Sequence, residues 1–485
     1  MMKLLPLWTM EELKKILSIE TGANWNCYGV SIDSRSVERG DLFFALSGPN
    51  FDGHSYVKTA LENGAAGAVV SKPVKGVDNS KLLLVPDVME ALVALGKAGR
   101  DRVNVPIIAI TGSVGKTGTK EALKAALSRY KKTHASILSY NNDVGVPLSL
   151  ARMPYDTEYG IFEMGMNHKG ELAELVKLVR PDVAIITTVE LAHSEFFENI
   201  EEIADAKAEI FTAMNGSINE GGIAILNYDN AHYERLSTKA KAAGIKKIIS
   251  FGADQKADVK MLDHFFHDTC SCIIADIMGK VMTYKVGMLG YHWVMNSLAV
   301  IACVDAVGAD LGLSGLGLAE LKPLVGRGRR ERLYFDVISD GSILLIDESY
   351  NANPASMDAA IKTLGQCEVG DNGRRIAVLS DMGELGKQAD QLHCDLGAPL
   401  INANVHKLFL VGSHMKNLVD HIKASNSRMS VHYFNDKEAL ERALLHDIRD
   451  GDVIMVKGSN SGGMSTIVQT LKKLDFNQEK QAAVS

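Results

Sequence analysis

The feature that most constrains the fold is a glycine loop between an apolar run and a helix-like run. The apolar run Val105–Ile110 is followed directly by the loop Thr111–Thr117, which reads Thr-Gly-Ser-Val-Gly-Lys-Thr. After the loop, apolar residues recur at the spacing of one helical face: Leu123, Ala126, Leu127 and Tyr130. A strand, a tight loop and a helix in that order are typical of a phosphate-binding α/β unit.

The loop carries the groups that a nucleotide needs. Lys116 supplies charge to phosphate oxygens, and the Thr117 hydroxyl can hold Mg²⁺. The full P-loop pattern has another glycine five positions before Gly115, where this chain has Ile110, so the loop is a shortened one. Its position between strand and helix favours phosphate binding over a chance Gly-Lys-Thr at a helix cap. The expected nucleotide contacts are Gly112, Ser113, Gly115, Lys116 and Thr117.

Bulk properties indicate an ordinary globular protein of several domains. The 485 residues are 46% hydrophobic and 23% charged, and at roughly 150 residues a domain this length predicts about three domains. The net charge of −7 argues against a general nucleic-acid or membrane binder, because both surfaces are anionic. No apolar run is long enough to span a bilayer, and the six scattered cysteines do not resemble a disulfide framework. We expect a cytoplasmic protein without membrane insertion.

Apolar strand-like segments alternate with helix-like ones in two series, which predicts an α/β fold with mostly parallel sheets. The strands of the middle series are Ile107–Ile110, Gly160–Glu163, Val183–Thr187, Ile223–Leu226 and Lys247–Phe251. Those of the later series are Ile343–Asp347, Arg375–Leu379, Lys407–Val411 and Val453–Val456. We expect domains at 1–103, 104–325 and 326–485: a small α/β domain, a central P-loop-type domain and a Rossmann-like α/β domain.

Three residues of the middle series are possible metal ligands. Glu163 closes a strand level with the phosphate loop and suits Mg²⁺, although a solvated turn glutamate is an equal alternative. His193 ends another strand and turn, and a lone histidine is more often structural. Lys207 lies in the apolar stripe of a helix-like segment. Periodicity alone favours a side chain that reaches solvent, whereas the functional alternative is a carbamate formed with CO₂ that binds metal.

Two further clusters are open to more than one interpretation. His264, His267, Cys270 and Cys272 have spacings that could suit zinc, but two strands around Met278-Gly279 predict a hairpin with incidental sulfurs instead. The arginine-rich run 327–332 could bind nucleic acid. An arginine that reaches nucleotide phosphates is the simpler interpretation, because the run is short and lies at a domain junction of an acidic chain.

Taken in order, these residues resemble the Mur ligase family, the ATP-dependent amide-forming enzymes of cell-wall synthesis. The matching motifs are Thr111–Thr117, Asn141-Asn142, Glu163, His193, Lys207, Gly290–Asn296, Gly326-Arg327, Asp347–Pro354 and Leu379–Gly386. Asp33-Ser34-Arg35 and Asp52-Gly53-His54 match the region that holds the UDP-sugar. The segments Asp347–Pro354 and Leu379–Gly386 are specific to the members that add D-alanyl-D-alanine. Gly118 and Asn460 depart from the family pattern.

The resemblance implies an activity and a role for each matching residue. ATP would phosphorylate the terminal carboxylate of UDP-MurNAc-tripeptide, and the amine of D-Ala-D-Ala would attack the acyl phosphate. The implied catalytic residues are Lys116, Lys207, His193 and Arg327. Besides the loop, the implied nucleotide contacts are Asn296, Arg327 and Asp347. The implied metal ligands are Thr117, Glu163, His193 and Lys207 as a carbamate. The implied substrate contacts are Ser34, Arg35, Asp52, His54, Asn141, Asn142, Tyr350, Asn351 and Asn353.

Several alternatives stay open from the sequence. The chain could be another Mur-type amide ligase, such as the one that adds the third peptide residue or a folylpolyglutamate synthetase-like enzyme. It could also be a non-catalytic nucleotide-binding homologue, although intact Lys116, Glu163, His193 and Lys207 argue against that. The third residue of the tripeptide, meso-diaminopimelate or lysine, is undetermined. We expect a monomer that binds no nucleic acid.

Overall fold

The computed structural model describes residues 5–191, 195–216, 221–334, 341–425 and 427–475. The chain divides into two compact units. The first comprises Met1–Thr187, Asp205–Lys260 and Leu298–Gly317. The second comprises Thr188–Ala204, Met261–Ser297 and Leu318–Ser485. Among the described residues, no helix has the length and apolar character needed to cross a membrane.

The first unit begins with a four-stranded parallel sheet of order β1-β2-β5-β6. Its first helix begins at a capping box, in which Thr9 and Glu12 satisfy each other's backbone N–H groups. The elements are α1 (Met10–Leu17), β1 (Gly29–Ser31), β2 (Asp41–Phe44), β3 (Ser47–Gly48), β4 (Phe51–Asp52), α2 (Val57–Glu62), β5 (Gly67–Val70), β6 (Leu82–Leu84) and α3 (Val88–Asp101).

The next part of this unit is a parallel sheet of order β12-β11-β10-β7-β9-β8, with β13 starting beside β12. Its elements are β7 (Ile107–Thr111), α4 (Lys116–Ser128), β8 (Thr133–Ala135), α5 (Gly145–Ala151), β9 (Tyr159–Glu163), α6 (Glu171–Val179), β10 (Val183–Ile186), β11 (Ile223–Asn227), α8 (Tyr233–Ala242) and β12 (Lys247–Gly252). Two further elements, α7 (Ile200–Ala208) and β13 (Val259–Phe266), each contain residues of both units. The five predicted strands are confirmed to within one residue at each end. On α4, Leu123, Ala126 and Leu127 are buried as predicted, whereas Tyr130 lies beyond the helix and is exposed, so its assignment to that face was wrong.

Helix α3 packs against α5, and this contact joins the two sheets of the first unit. The helices approach closely at Gly99, where an added Cβ would lie 2.2 Å from the Leu150 carbonyl oxygen. Beside them the Arg102 guanidinium stacks over the Trp8 ring at 3.8 Å, and Trp8 Nε1 donates to the Ala151 carbonyl at 2.9 Å. The amino-terminal sheet is therefore anchored to the loop-bearing sheet by both apolar and polar contacts.

A β-hairpin occupies the segment that carries the histidine and cysteine cluster. Strands β14 (Ser271–Ile277) and β15 (Lys280–Val286) pair antiparallel around Met278 and Gly279, which both have positive φ. Within the described chain, no group of three or more possible metal ligands comes together. The His264 ring instead contacts the rings of Phe266 and Tyr291. The hairpin interpretation is confirmed. Helices α9 (Tyr291–Ala306) and α10 (Leu311–Ala319) follow.

The last part of the second unit is a six-stranded sheet of order β16-β17-β21-β18-β19-β20, parallel except for β16. Its elements are β16 (Arg329–Tyr334), β17 (Ser342–Glu348), α11 (Pro354–Gly365), β18 (Arg375–Ser380), α12 (Ala389–Cys394), α13 (Gly397–Asn402), β19 (Lys407–Val411), α14 (Met415–Ala424), β20 (Ser430–Phe434), α15 (Lys437–Asp447), β21 (Val453–Lys457) and α16 (Ser465–Lys472). The four predicted strands are confirmed. Most of the arginine-rich run forms the edge strand β16.

Candidate active site

The glycine loop joins β7 to α4 and leaves little room for side chains. Gly112 has a φ of 149°, and a Cβ there would lie 1.9 Å from the Thr187 hydroxyl oxygen. That hydroxyl donates to the Val114 carbonyl at 2.6 Å and so fixes the loop from the end of β10. Gly115 has a φ of 86° and caps α4. The first N–H groups of a helix have no partner within the helix, so the start of α4 is suited to bind phosphate.

Lys116 and Ser113 complete the loop. Lys116 is the first residue of α4, and its Nζ donates to the Gly112 carbonyl at 2.7 Å. The side chain therefore folds over the loop, in the position where a phosphate-binding lysine is needed. Ser113 is buried within the loop.

Glu163, at the end of β9, lies beside this loop and is almost fully buried, with 1% of its surface exposed. Its Oε1 accepts hydrogen bonds from the Thr117 hydroxyl at 3.1 Å and from Asn141 Nδ2 at 2.8 Å. Its Oε2 is buried and has no hydrogen-bond partner in the described part of the chain. Buried carboxylate oxygens are normally satisfied, so a free one beside a phosphate loop fits a divalent cation, which prefers oxygen ligands.

The two predicted asparagines have different surroundings. Asn141 bonds Glu163 through its side chain, and its carbonyl accepts from Gly165 N at 2.7 Å. Asn142 Oδ1 accepts from Gly145 N at 2.9 Å and shapes the turn before α5. Asn141 therefore belongs to the carboxylate site, whereas the side-chain oxygen of Asn142 is used inside the protein.

Lys207, on α7, is buried with 2% of its surface exposed, so the interpretation from periodicity alone, that its side chain reaches solvent, was wrong. Burial lowers the pKa of this amine well below its ordinary value, and the positive charge of Lys116 lowers it further. A neutral amine is the form that reacts with CO₂. The histidine predicted to accompany it, His193, lies outside the described residues.

The predicted UDP-sugar residues lie around the amino-terminal sheet. Ser34 is buried, and Arg35 is exposed and forms a two-point ion pair with Asp33. Asp52 Oδ1 contacts His54 Nδ1 at 2.6 Å, and Lys72 donates to Asp52 Oδ2 at 2.8 Å.

The His54 ring is buried and is held at both nitrogens. Ser71 N donates to His54 Nε2 at 3.0 Å, which leaves Nδ1 to carry the proton toward Asp52. The lysine and histidine contacts hold the pKa of Asp52 well below its ordinary value. His54 therefore ties its loop to the end of β5.

In the second unit, Arg327 and Asp347 are brought together by the turn at Gly326. Asp347 Oδ2 accepts from Gly326 N at 3.0 Å, and its Oδ1 accepts from the Ser349 hydroxyl at 2.6 Å. The Arg327 guanidinium lies over the Tyr350 ring at 4.0 Å. The carboxylate thus shapes the turn from which Arg327 projects.

The remaining predicted residues of this unit have diverse roles. Asn353 Oδ1 accepts a hydrogen bond from Ser356 N at 2.9 Å, so the Asn353 side chain caps the start of α11. Asn351 is exposed, and its carbonyl accepts from Lys457. Asn296 lies in α9 and is partly buried.

Sequence reasoning missed a buried ion pair at the ends of β17 and β21. Lys457 Nζ lies 3.6 Å from Glu348 Oε2 and donates to the Asn351 carbonyl at 2.9 Å. Burial lowers the pKa of Lys457 and raises that of Glu348, while each charge partly opposes the other's shift. Burial also lowers the pKa of His292 to about 4, with the charge of Lys457 adding to the effect. Glu348 and Lys457 each end a parallel strand, and a charged residue at that position was the sequence signal that could have identified the pair.

Comparison with known proteins gives matches along almost the whole chain. Three family models match: "Mur ligase family, catalytic domain" at residues 26–108, "Mur ligase middle domain" at 110–304 and "Mur ligase, glutamate ligase domain" at 334–460. The UDP-N-acetylmuramoyl-tripeptide–D-alanyl-D-alanine ligase of Rickettsia prowazekii is 36% identical, over 95% of this chain and 99% of its own. The Escherichia coli ligase of the same name is 33% identical, over 96% and 98%. A crystal structure of MurF from Acinetobacter baumannii has a TM-score of 0.80 at 29% identity, covering 97% of this chain and 99% of that one.

Proposed function

Since the chain belongs to the Mur ligase family, whose members are ATP-dependent ligases that form amide bonds, we propose that it joins D-alanyl-D-alanine to UDP-N-acetylmuramoyl-tripeptide. The product is the UDP-N-acetylmuramoyl-pentapeptide used in peptidoglycan synthesis. The observation that carries this proposal is the buried Glu163 carboxylate at the phosphate loop, whose Oε1 bonds the Thr117 hydroxyl while its Oε2 has no hydrogen-bond partner in the described part of the chain. Full-length similarity to ligases of that specificity supports the choice of substrates.

The first unit supplies the nucleotide site of this proposal. ATP would place its phosphates on the loop and the start of α4, with Lys116 offsetting their charge. Thr117 and Glu163 would hold Mg²⁺, and the free Glu163 Oε2 fits that ligand set. Bound Mg²⁺ would stabilise the charge that develops on the transferring phosphoryl group. Gly112, Ser113 and Gly115 contribute backbone donors and the tight turn.

A carbamate on Lys207 is the second part of the proposal. The neutral amine attacks CO₂, a C–N bond forms, and one proton leaves to solvent, which gives an anionic carbamate. Burial and the nearby Lys116 charge both favour the neutral amine that this step requires. The carbamate and His193 would then hold a second metal ion. A Lys207→Ala variant should lose turnover and regain part of it with a short added carboxylate, whereas unchanged turnover without any additive would exclude this role.

The order of the chemical steps follows from carboxylate chemistry. An amine cannot displace oxide from a carboxylate at a useful rate, so ATP must first phosphorylate the terminal carboxylate of the tripeptide. The amine of D-Ala-D-Ala then attacks the acyl phosphate, the C–N bond forms, and phosphate leaves. Arg327, Asp347 and Asn296 remain the proposed further nucleotide contacts.

The proposed substrate contacts fall into two sets. Ser34, Arg35, Asp52 and His54 are assigned to UDP-MurNAc-tripeptide, and the exposed Arg35 is the residue of this set best placed to meet an anion. Tyr350, Asn351 and Asn353 are assigned to the peptide substrates, together with Asn141 and Asn142. We further propose domain limits of 1–103, 104–325 and 326–485, a cytoplasmic location and a monomeric state.

The deciding experiment measures phosphate release from ATP by the full chain with UDP-MurNAc-tripeptide, with and without D-Ala-D-Ala. Release that needs both cosubstrates, with a pentapeptide product by mass spectrometry, is the expected result, and tripeptides ending in meso-diaminopimelate and lysine can then be compared. Lys116→Met should abolish release, and Lys124→Met is its matched control, because Lys124 is exposed on the same helix. ATP hydrolysis that ignores both cosubstrates would contradict the proposal and favour another amide ligase or a non-catalytic homologue.

A further inference from the structure

Lys120 is a buried lysine that has no part in the chemistry above. It lies on α4, one turn after Thr117, and its side chain is fully buried. Its Nζ donates to the Ser136 carbonyl at 2.7 Å and to the Leu138 carbonyl, and it lies 2.9 Å from Glu121 Oε1. Burying an ammonium is costly unless its hydrogen bonds are satisfied. The protein therefore uses this lysine to hold the segment that follows β8.

The held segment contains a backbone conformation that needs support. Leu138 has a φ of 52°, which residues other than glycine rarely adopt. Its side chain is 65% exposed, so burial of that side chain does not offset the strain. The bond from Lys120 to the Leu138 carbonyl acts directly on the strained residue. Without it, we expect the segment to relax to another conformation.

The same segment contacts Glu163 at both of its ends. At one end the Ser136 hydroxyl accepts from Glu163 N at 3.3 Å, and at the other Asn141 Nδ2 donates to Glu163 Oε1 at 2.8 Å. Thr117, on the same helix as Lys120, donates to that same oxygen. Lys120 thus joins the helix that carries one partner of Glu163 to the segment that carries the other.

We propose that Lys120 is a positioning residue for the Mg²⁺-nucleotide site. By fixing the segment from Ser136 to Asn141, it holds Asn141 and Thr117 on Glu163 Oε1 and keeps Oε2 directed to the cation. The inference rests on the proposed nucleotide site, and it adds a residue that neither contacts the nucleotide nor binds the metal. Removing Lys120 should weaken Mg²⁺ binding through the loss of Asn141's contact.

The test measures ADP binding to the full chain by calorimetry across a Mg²⁺ titration. Lys120→Met should weaken the apparent Mg²⁺ affinity by about tenfold or more, as is usual when a group that orients a metal ligand is lost. ADP binding without Mg²⁺ should change little, because the loop and Lys116 remain. Lys124→Met, on the exposed face of the same helix, should match the wild type. Unchanged Mg²⁺ affinity in folded Lys120→Met would overturn the proposal.

A double-mutant cycle with Asn141→Ala separates positioning from a general loss of packing. If Lys120 acts through Asn141, the double variant should have the same Mg²⁺ affinity as whichever single variant, Lys120→Met or Asn141→Ala, binds Mg²⁺ less tightly. Independent, additive losses would overturn the proposed route. If Lys120→Met does not fold, Asn141→Ala alone decides, because unchanged Mg²⁺ affinity in that variant would also overturn it. A wild-type chain that binds no MgADP would refute the nucleotide site itself, which is a separate result.

Discussion

Removing one member of the buried Glu348–Lys457 pair should destabilise the second unit much more than removing both. The Lys457 side chain is 3% exposed and that of Glu348 is 17% exposed, with the charged atoms 3.6 Å apart. At that distance and an effective dielectric constant of about 20, the attraction is about 4 to 5 kcal/mol. This attraction is one upper limit on the destabilisation caused by losing Glu348. A second upper limit is the free energy needed to remove the proton from Lys457, since neutralising a lysine of ordinary pKa at pH 7 costs roughly 5 kcal/mol. Removing Glu348 should therefore destabilise the protein by no more than about 5 kcal/mol.

We expect Glu348→Leu to lower the local free energy of unfolding by about 3 kcal/mol, because Lys457 keeps its bond to the Asn351 carbonyl. Lys457→Met should cost about 2 kcal/mol, since the more exposed carboxylate is easier to solvate or protonate. The double variant should lie within about 1 kcal/mol of the wild type, because two well-packed apolar side chains leave no buried charge.

The assay is hydrogen exchange of the full chain at constant pH, followed by mass spectrometry in peptides that cover β17 and β21. Local exchange avoids the assumption that both units unfold together. Lys362→Met is the control, because the Lys362–Asp358 pair on α11 is exposed and should contribute less than about 1 kcal/mol. A double variant as unstable as Glu348→Leu would refute the reasoning, and so would a Glu348→Leu loss no larger than the control's.

Three other outcomes are expected. Lys207→Met should abolish ligation yet raise the melting temperature in CO₂-free buffer. The pKa of Lys207 is lower in the folded state than in the unfolded state, so the unfolded chain binds more protons between these two pKa values. Wild-type stability therefore rises with pH in that range, and the gain in melting temperature of Lys207→Met should shrink as the pH rises. A gain that grows with pH would contradict this reasoning. Gly112→Ala should lower kcat/KM for ATP by about a hundredfold, because its Cβ would meet the Thr187 hydroxyl. Gly22→Ala is the control, because a Cβ at Gly22 would have no atom within 4 Å. Equal kinetics in the two variants would argue against a tight loop. His54→Ala should destabilise the amino-terminal sheet by about 2 kcal/mol, and a change confined to substrate KM without any thermal shift would show that the ring acts on substrate directly.

Strands that are buried on both sides were predictable from the sequence, whereas three edge strands were not. The nine strands predicted in the two α/β series coincide with apolar runs, because an inner strand of a parallel sheet is covered on both faces. Three unpredicted strands, β8, β16 and β20, each lie at the end of a sheet. An edge strand has a neighbour on one side only, so its sequence can be polar and irregular. Arg329–Tyr334 illustrates this, since four of its six residues are charged.

Candidate site residues could likewise be placed at strand ends one by one, but their partners could not. Glu163 could be identified because it closes an apolar run beside the loop, yet its bond to Asn141 depends on how the segment after β8 returns to the sheet. The Glu348–Lys457 contact joins the ends of β17 and β21, which are neighbours only because of the strand order. Periodicity assigns a residue to a face or an end, and only the sheet topology decides which ends meet.

The two buried lysines of the first unit show why burial of a charge has no single meaning. A helical pattern predicts only that Lys207 lies on an apolar face, and from this a side chain that reaches solvent is the economical inference. What decides the outcome is the set of neighbouring acceptors and charges. Lys120 faces two carbonyl oxygens and a carboxylate, which stabilise an ammonium and make it a structural tie. At Lys207, burial and then the charge of Lys116 lower the pKa of the amine, so these surroundings disfavour an ammonium. The same residue type is therefore surrounded by acceptors at one position and by a second cation at the other, and the difference lies in partners that sequence spacing does not reveal.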